Sequence, residues 1–563
     1  MATVSSNLQQ SYDRTTTEDS QFALPPRKLQ YPNFPAWGLL HRAAGLMPDR
    51  DACIYYETKW QYRQLNRDAM RMAAVLKELG IRPGDRVGLL LPNVPEYIIA
   101  VNGIWRVGGI AVAISPLMVE EEVDRLLAET DCQVVISLDM LSHTLYGSHR
   151  PRKILLVSVR PQLGPLEQLG YLYMRHQRTG QWWISGSDSA AWFWDELNRA
   201  EPLFDTALCD PATDAAYILP TGGTTGQAKA VTLSHRNLVA NAWQQYYWAG
   251  AQIGRERLTG VLPFFHSYGL STTVLGGAAL VATIVLHHRF NTYRTIELMQ
   301  RHRPTVFHAV PAMLVAMNEQ LRKRPARLDS IKWVISGGAP LPEEVAIEFA
   351  EHTGALVVEG YGLSEASPVT HVGPLNATAR HGTIGLPLPD TDARIVDQET
   401  GMIDLPRGEV GELVVRGPQV MLGYWNDPVE TQHAIRDGWL FTGDLARIRA
   451  DGLYEIHERK KDLIITSGFN VYPREVERKL RACPGVQDAA VVGAPDAQRG
   501  EIVKAFLVMK KGAAWDVAAL EAYCHQHLAA HKRPRIFERC EHDLPRNFLG
   551  KVLRRHLREG DLK

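Results

Sequence analysis

Apolar and polar positions along this chain keep switching between two periods. Residues 34–47 and Leu65 to Leu79 carry apolar positions at helical spacing, and the second run stops at Gly80. Between them, 51–62 reads as strand, with Thr58-Lys59-Trp60-Gln61-Tyr62 alternating strictly. Short apolar runs then alternate with helical stretches: strands at 86–91, 110–114 and 133–137, helices at 96–107 and 120–129. Apolar strands separated by helices predict parallel sheets covered on both faces, an α/β class. Strands are also expected at 305–310, 331–336 and 356–359, and a helix at 234–248 capped by Ser234. Gly411 to Arg416 and a hairpin around Asp451-Gly452 predict a more antiparallel, β-rich subdomain. From Val476 onward the order is helix, strand, strand, helix, right for a small α/β lid.

Two stretches break the rhythm. Pro161 to Phe204 reads as an irregular surface insertion containing Trp182, Trp183, Trp192 and Trp194. Its tryptophans suit the core of a folded flap. Alternatively, beside Arg175 and Arg178, they lie on a membrane surface or line an apolar tunnel. Gly269 to Leu286 is uncharged and near membrane-spanning length, but Ser271-Thr272-Thr273 and Gly276-Gly277 interrupt it. A buried helix over 271–280 followed by a strand over 281–286 is expected there.

With 563 residues the chain is too long for one core. Lys+Arg and Asp+Glu both number 62, which gives no support to a nucleic-acid binder. The six cysteines form no Cys-x-x-Cys pair, so a reducing compartment is the default and the expected location is cytoplasmic. Residues 1–30 lack the apolar core of a signal peptide and read as a flexible leader. Cys524, His527 and His531 share one helical face, but zinc needs three or four ligands and no second half-site is visible.

The candidate chemistry centres on Tyr217 to Ala230. An apolar run, Ala215 to Leu219, enters it and Pro220 is expected to stop the strand. Thr221, Gly222, Gly223, Thr224, Thr225 and Gly226 then bring hydroxyls and backbone N–H groups free to turn inward, and Lys229 adds charge. That composition makes a phosphate cradle. It is not a Walker loop, because Ala228 and Ala230 stand where the second glycine and the metal-binding hydroxyl belong. Downstream, Gly337-Gly338-Ala339-Pro340 leaves room for a planar ring. Glu359-Gly360-Tyr361-Gly362-Leu363-Ser364-Glu365 offers a stacking Tyr, a donor Ser and a metal-binding Glu. Both segments follow strands, which places a nucleotide beyond the carboxyl ends of a parallel sheet. Gly362-Leu363-Ser364-Glu365-Ala366 half-matches a nucleophile elbow but lacks its last glycine. His266, within Phe264-Phe265-His266-Ser267-Tyr268-Gly269, reads equally as a substrate contact or a buried core histidine, and Asp444 as a ribose ligand or an Asx-turn residue. The charge cluster Glu458-Arg459-Lys460-Lys461-Asp462 reads as a solvated linker.

Taken in order, these motifs resemble the adenylate-forming superfamily over roughly Phe34 to Glu559, and within it the bacterial medium- and long-chain acyl-CoA synthetases. The resemblance implies a large N-terminal adenylating domain (two α/β sheets plus a β-rich subdomain) over 31–459 and a mobile lid over 460–563. It implies ATP, Mg²⁺ and CoA, with a carboxylic acid, a medium- or long-chain fatty acid, as substrate. Thr221 and Glu365 would hold the metal. Lys229 would hold the leaving phosphates and Asp444 the ribose. Arg459 would touch ribose or phosphate, and His266 would border the carboxylate pocket. Lys551, in Pro545-Arg546-Asn547-Phe548-Leu549-Gly550-Lys551, fits the adenylation lysine, although Arg546 stands where the family has Lys. Lys461 would be the pivot, and Ser467, Gly468 and Asn470 the loop that swings to face CoA. The acyl pocket is expected near Trp243, Tyr247, His266 and Gly337 to Pro340. Rival readings are a fatty-acyl-AMP ligase serving a carrier protein, an aryl-CoA ligase, and a degenerate homologue that only binds. Peripheral contact with the inner membrane and a homodimer are left open.

Overall fold

Four sheets organise the chain among the described residues, which in this computed structural model are 24–183, 186, 189–221, 229–467, 469–496, 498–547 and 550–559. The first is nine-stranded, in the order Leu386–Pro387, Val369–Val372, Leu356–Gly362, Trp333–Ser336, Val306–Ala309, Arg257–Gly260, Thr283–Leu286, Asp51–Tyr55 and Thr58–Gln61. Its middle is parallel and its ends antiparallel. The second is eight-stranded: Gly423–Tyr424, Lys229–Ser234, Ala215–Thr221, Ile110–Ala113, Arg86–Leu90, Val134–Leu138, Lys153–Val157 and Ala190–Trp192. Helices such as Tyr62–Glu78 and Pro95–Arg106 cover these sheets. The second of them is buried along its whole length, so its sequence shows no polar stripe. A five-stranded antiparallel sheet (Asp392–Val396, Gly411–Arg416, Trp439–Ile448, Ile435–Arg436 and Tyr454–Arg459) and a second five-stranded sheet beyond it complete the architecture. The expected α/β class, β-rich subdomain and small α/β C-terminal unit are all present.

Several local expectations change. Pro220 does not end its strand, which runs Ala215–Thr221 with Pro220 opposite Ala230. The neighbouring parallel strand pairs only at Tyr217 and Ile218, so the missing proline N–H costs no ladder bond on that side. The uncharged stretch forms short buried helical turns from Ser267 to Leu280 and the strand Thr283–Leu286. Among the described residues no helix is long and apolar enough to cross a membrane. The region 161–204 is not irregular. It holds the 15-residue helix Pro165–Thr179, the edge strand Ala190–Trp192 and the helix Phe193–Arg199. Trp192 and Trp194 pack against the core, Trp182 and Trp183 are exposed, and Arg175 is buried.

Candidate active site

The carboxyl ends of Trp333–Ser336 and Leu356–Gly362 open into one cavity of about 1210 Å³. Gly337, Gly338, Gly360, Tyr361, Gly362, Ser364 and Glu365 line it, with Thr221 and Lys229 from the hairpin of the second sheet. The hairpin closes with Thr221 opposite Lys229, and the Thr221 hydroxyl donates to the Lys229 carbonyl at 3.1 Å. Gly222, Gly223, Thr224, Thr225 and Gly226 lie outside the described residues, as does Gly468. Close packing explains one glycine: a Cβ on Gly337 would stand 3.0 Å from the Tyr268 ring and 3.2 Å from the Gly360 carbonyl.

Lys229 and Glu365 are tied together by residues the sequence did not single out. Strand Gly423–Tyr424 pairs beside Lys229–Ser234, which puts the Tyr424 ring 5.1 Å from the Lys229 ammonium. The Tyr424 hydroxyl donates to Glu365 Oε1 at 2.9 Å, and Lys229 pairs with Glu430. The ammonium holds the Glu430 carboxyl below its usual range. Only the Gly-Tyr-Trp-Asn-Asp-Pro turn composition at 423–428 hinted that this segment was special.

Asp444 is buried behind the cavity wall. Its Oδ2 accepts from the Tyr361 hydroxyl at 2.6 Å and its Oδ1 pairs with Arg459 Nε at 3.0 Å. Burial and then the Asp444 charge push the Tyr361 phenol well up, so it stays protonated as a donor. Ala339, Pro340 and Glu359 do not line the cavity. Glu359 accepts from the Leu341 N–H at 3.2 Å, and burial raises its carboxyl to about 7.

The far wall comes from the C-terminal unit. Lys551, Lys461, Arg554, Arg555 and Arg558 face the same space as Arg459, so cations outnumber the lining carboxylates Glu365, Glu412, Glu430 and Asp462. Burial, then repulsion from Arg459, lowers Lys551 to about 7. A buried ammonium whose charge is disfavoured by desolvation and by a neighbouring guanidinium suits an incoming polyanion such as a triphosphate, which would restore that charge. Gly550 lets the Lys551 loop approach: at φ +78, a Cβ there would lie 3.0 Å from Ala312 Cβ. Arg546 braces the loop from behind by donating to the Gly550 carbonyl and pairing with Asp488. Ser467 and Asn470 stay off the cavity.

The cluster 458–462 is solvated only at Lys460 and Lys461. Glu458 and Asp462 are buried, and Arg554 reaches both at 3.4 and 3.1 Å and Glu477 at 2.9 Å. Burial pushes the Asp462 carboxyl up, but Arg554 and Arg558 outweigh that and hold it low.

At the other end the cavity is apolar, lined by Trp248, Leu258, Val306, Ile335, Val369 and Leu375. Trp243 and Tyr247 are off the cavity. Trp243 instead lies under the Arg42 guanidinium at 4.9 Å, one turn from the lining residues. His266 stands in the wall, and burial lowers it to about 4. Its Nδ1 accepts from the Tyr268 N–H at 3.1 Å, which leaves a neutral ring with its proton on Nε2. Ser267 Oγ lies 3.2 Å from Ser364 Oγ and joins this segment to the Tyr361–Glu365 loop. His308, which the sequence reading missed, also lines the cavity, and its buried Nδ1 has no hydrogen-bond partner among the described residues.

Residues 40–425 match the AMP-binding enzyme family and residues 475–551 match the AMP-binding enzyme C-terminal domain. The chain belongs to the AMP-binding enzyme family, as its ordered motifs implied. It is 38% identical over 540 residues to a long-chain-fatty-acid–CoA ligase of Bacillus subtilis (strain 168), covering 95% of this chain and 96% of that one. It is 34% identical to a long-chain-fatty-acid–CoA ligase of Salmonella typhimurium, over 92% of this chain and 93% of the relative. Its fold is similar to that of ATP-bound MatB from Rhodopseudomonas palustris, with a TM-score of 0.79 and 30% identity over 94% of this chain and 99% of that one.

Proposed function

We propose that this chain is an AMP-forming acyl-CoA synthetase that activates a medium- or long-chain fatty acid with ATP and passes the acyl group to CoA. The observation that carries this reading is the single cavity with two unlike ends, one crowded with cations and one apolar. At about 1210 Å³ it exceeds the usual few hundred to ~1000 Å³ of a one-ligand site, which suits a nucleotide and an acyl chain held end to end.

In the first half-reaction a carboxylate oxygen bonds to the α-phosphorus of ATP while the bond to the bridging oxygen breaks and pyrophosphate leaves. Both partners are anions, so the site must supply positive charge where charge shifts. Lys551 is the catalytic group for the attacking carboxylate and α-phosphate, and phosphate entry restores the proton that its neighbours disfavour. Lys229 would leave Glu430 for the departing phosphates. Thr221 and Glu365 would hold Mg²⁺, which screens phosphate charge when bound. Tyr361 would stack on the base, with Asp444 and Arg459 at the ribose. His266, being neutral, borders the carboxylate without neutralising it by an ion pair.

In the second half-reaction the CoA sulfur, having lost its proton, bonds to the acyl carbon as the bond to AMP breaks. The chain divides at 459/460, and rotation about Lys461 would withdraw Lys551 and bring the 467–470 segment to the site. Its present orientation, with Lys551 at the cavity and Ser467 and Asn470 away from it, suits the first half-reaction.

Incubation with ATP and a panel of fatty and aromatic acids, with and without CoA, tests the reading by product mass. Fatty acyl-CoA and AMP are expected. Adenylate that forms but never becomes thioester would shift the acceptor to a carrier protein, and preference for aromatic acids would overturn the acyl assignment.

A further inference from the structure

The apolar end of the cavity carries two polar groups that the chain itself leaves unpaired. Strands Val306–Ala309 and Trp333–Ser336 run parallel, with Val306 opposite Trp333 and His308 opposite Ile335. Leu258 of the next strand sits beside Val306. Alternation puts all five side chains on one face of the sheet, and all five line the cavity. Four are apolar in effect, since the Trp333 indole N–H is bonded to the Leu375 carbonyl. The fifth is His308. It stands one row, about 7 Å of strand, short of the strand end at Gly337, and the apolar rows continue beyond it.

Burial lowers His308 to about 4, so the ring is neutral and carries one proton. Its Nδ1 is buried with no partner among the described residues, while Nε2 keeps accessible surface and is also unpartnered there. A buried N–H without an acceptor is the rarer defect, which places the proton on Nε2. The Tyr268 ring, 6.0 Å away and edge-on at 77°, holds the imidazole in place. On the helix His235–Trp248, Gln245 spends its amide hydrogens on the Asn241 carbonyl, Asn241 Oδ1 and Ser271 Oγ. Ser271 donates in turn to Asn241 Oδ1, which fixes the direction of the Gln245 amide. Gln245 Oε1 is left without a partner among the described residues, beside Gly276, and both residues line the cavity.

We propose that His308 Nε2 and Gln245 Oε1 recognise a hydroxyl group part-way along the acyl chain, so that the preferred acid is a hydroxylated fatty acid. The hydroxyl oxygen accepts from His308 and its proton goes to Gln245. A donor and an acceptor left unpaired in an apolar space are costly, and a substrate that pairs both recovers the loss. The apolar rows beyond His308 hold the rest of an alkyl chain, which a compact phenolic acid would not fill. The inference rests on the reading of this cavity as the site of acyl activation.

The test compares dodecanoic acid with its monohydroxy derivatives, substituted beside the carboxyl group, part-way along the chain and at its end, and with a hydroxycinnamic acid. Two quantities are measured on the full chain: kcat/KM for acyl-CoA formation, and binding of the acid alone by calorimetry. The mid-chain hydroxy acid is expected to lead dodecanoic acid by about tenfold or more in both, in the range for pairing a buried polar group. His308→Leu should bring that ratio to about one or below. His308→Gln, which keeps a donor N–H near the Nε2 position, should retain part of it. The ratio is taken between two acids on one preparation, so any loss of folded enzyme cancels. Equal use of all the acids by wild type overturns the proposal, because the two atoms then hold only water. So does a ratio unmoved in His308→Leu, an equal loss in both variants, or a preference for the phenolic acid. Selective binding without acyl-CoA formation would leave the recognition standing and strike the activity, and acyl-CoA formation without selectivity would do the reverse.

Discussion

The two ends of the cavity are built in opposite ways. The cationic end is assembled from strand-terminal loops and the small C-terminal unit, each offering one or two chemically distinctive residues: Tyr361, Glu365, Arg459, Lys551. The apolar end is assembled from side chains scattered over the nine-stranded sheet and its helices, among them Trp248, Leu258, Val306 and Val369, each also part of the core. Charge chemistry needs particular atoms at particular points, whereas apolar recognition needs only volume. Substitutions at the first end should therefore abolish steps, and substitutions at the second should re-rank substrates.

The largest expected effect is at Lys551. Lys551→Ala should slow adenylate formation by about 10²–10³-fold, typical for a lost charge-stabilising group, and leave thioester formation from supplied acyl-adenylate much less affected. Equal loss in both half-reactions, measured by single turnover, would break the division of labour between the two orientations. At the apolar end, Leu375→Trp adds volume to the partly buried lining. It should cut kcat/KM on the longest acids by about tenfold, in the range of pocket discrimination by a methylene or two, and spare short ones. A uniform loss across chain lengths would show that this end does not set length.

These contrasts also explain what could be read beforehand. The parallel sheets were legible because apolar strands such as Val134–Leu138 alternate with helices. Part of the cationic end was legible: the Tyr-Gly-Leu-Ser-Glu pattern has few structural uses, and Tyr361 to Glu365 line the cavity with Thr221 and Lys229. The apolar end was not, since nothing distinguishes Trp248, which lines the cavity, from Trp243 on the same helix. Within 458–462, Lys460 and Lys461 are exposed as expected, but Glu458 and Asp462 were misread as solvated because their partner Arg554 is distant in sequence. Tyr424 and Glu430 escaped because their roles depend on a strand pairing that sequence spacing does not reveal.

Smaller effects sharpen the comparison. Gly550→Ala forces a Cβ into the left-handed region against Ala312. The strain of about 1–2 kcal/mol should fall on the orientation that presents Lys551, lowering the adenylation rate about tenfold with the thioester step spared. Nucleotide binding at pH 8 should take up protons, because Lys551 at about 7 is mostly neutral there and an incoming anion favours its charged form. Affinity should thus weaken as pH rises above 7. Titration calorimetry in buffers of different ionisation enthalpy measures the uptake, and Lys551→Gln should reduce it. The same depression makes the unfolded chain bind more protons between about 7 and 10.5, so this residue's contribution to stability improves as pH rises across that window. The smallest effect belongs to Glu430→Gln. Removing this partly exposed rival for Lys229 should tighten ATP binding by about two- to fivefold, and weaker binding would mean that Glu430 orients Lys229 instead.

The buried ionic cluster around Arg554 has a kinetic meaning. Glu458 sits before the proposed pivot, and Arg474, Glu477 and Arg554 sit after it. If the C-terminal unit turns about Lys461 as proposed, a buried carboxylate parts from its guanidinium partners, and leaving such a charge buried and unpaired costs about 3–5 kcal/mol. A joint of that kind does not drift through intermediate angles. It would behave as a detent, holding one orientation until the other can be reached in a single step, so each turnover would be timed by a click of the joint as well as by bond-making.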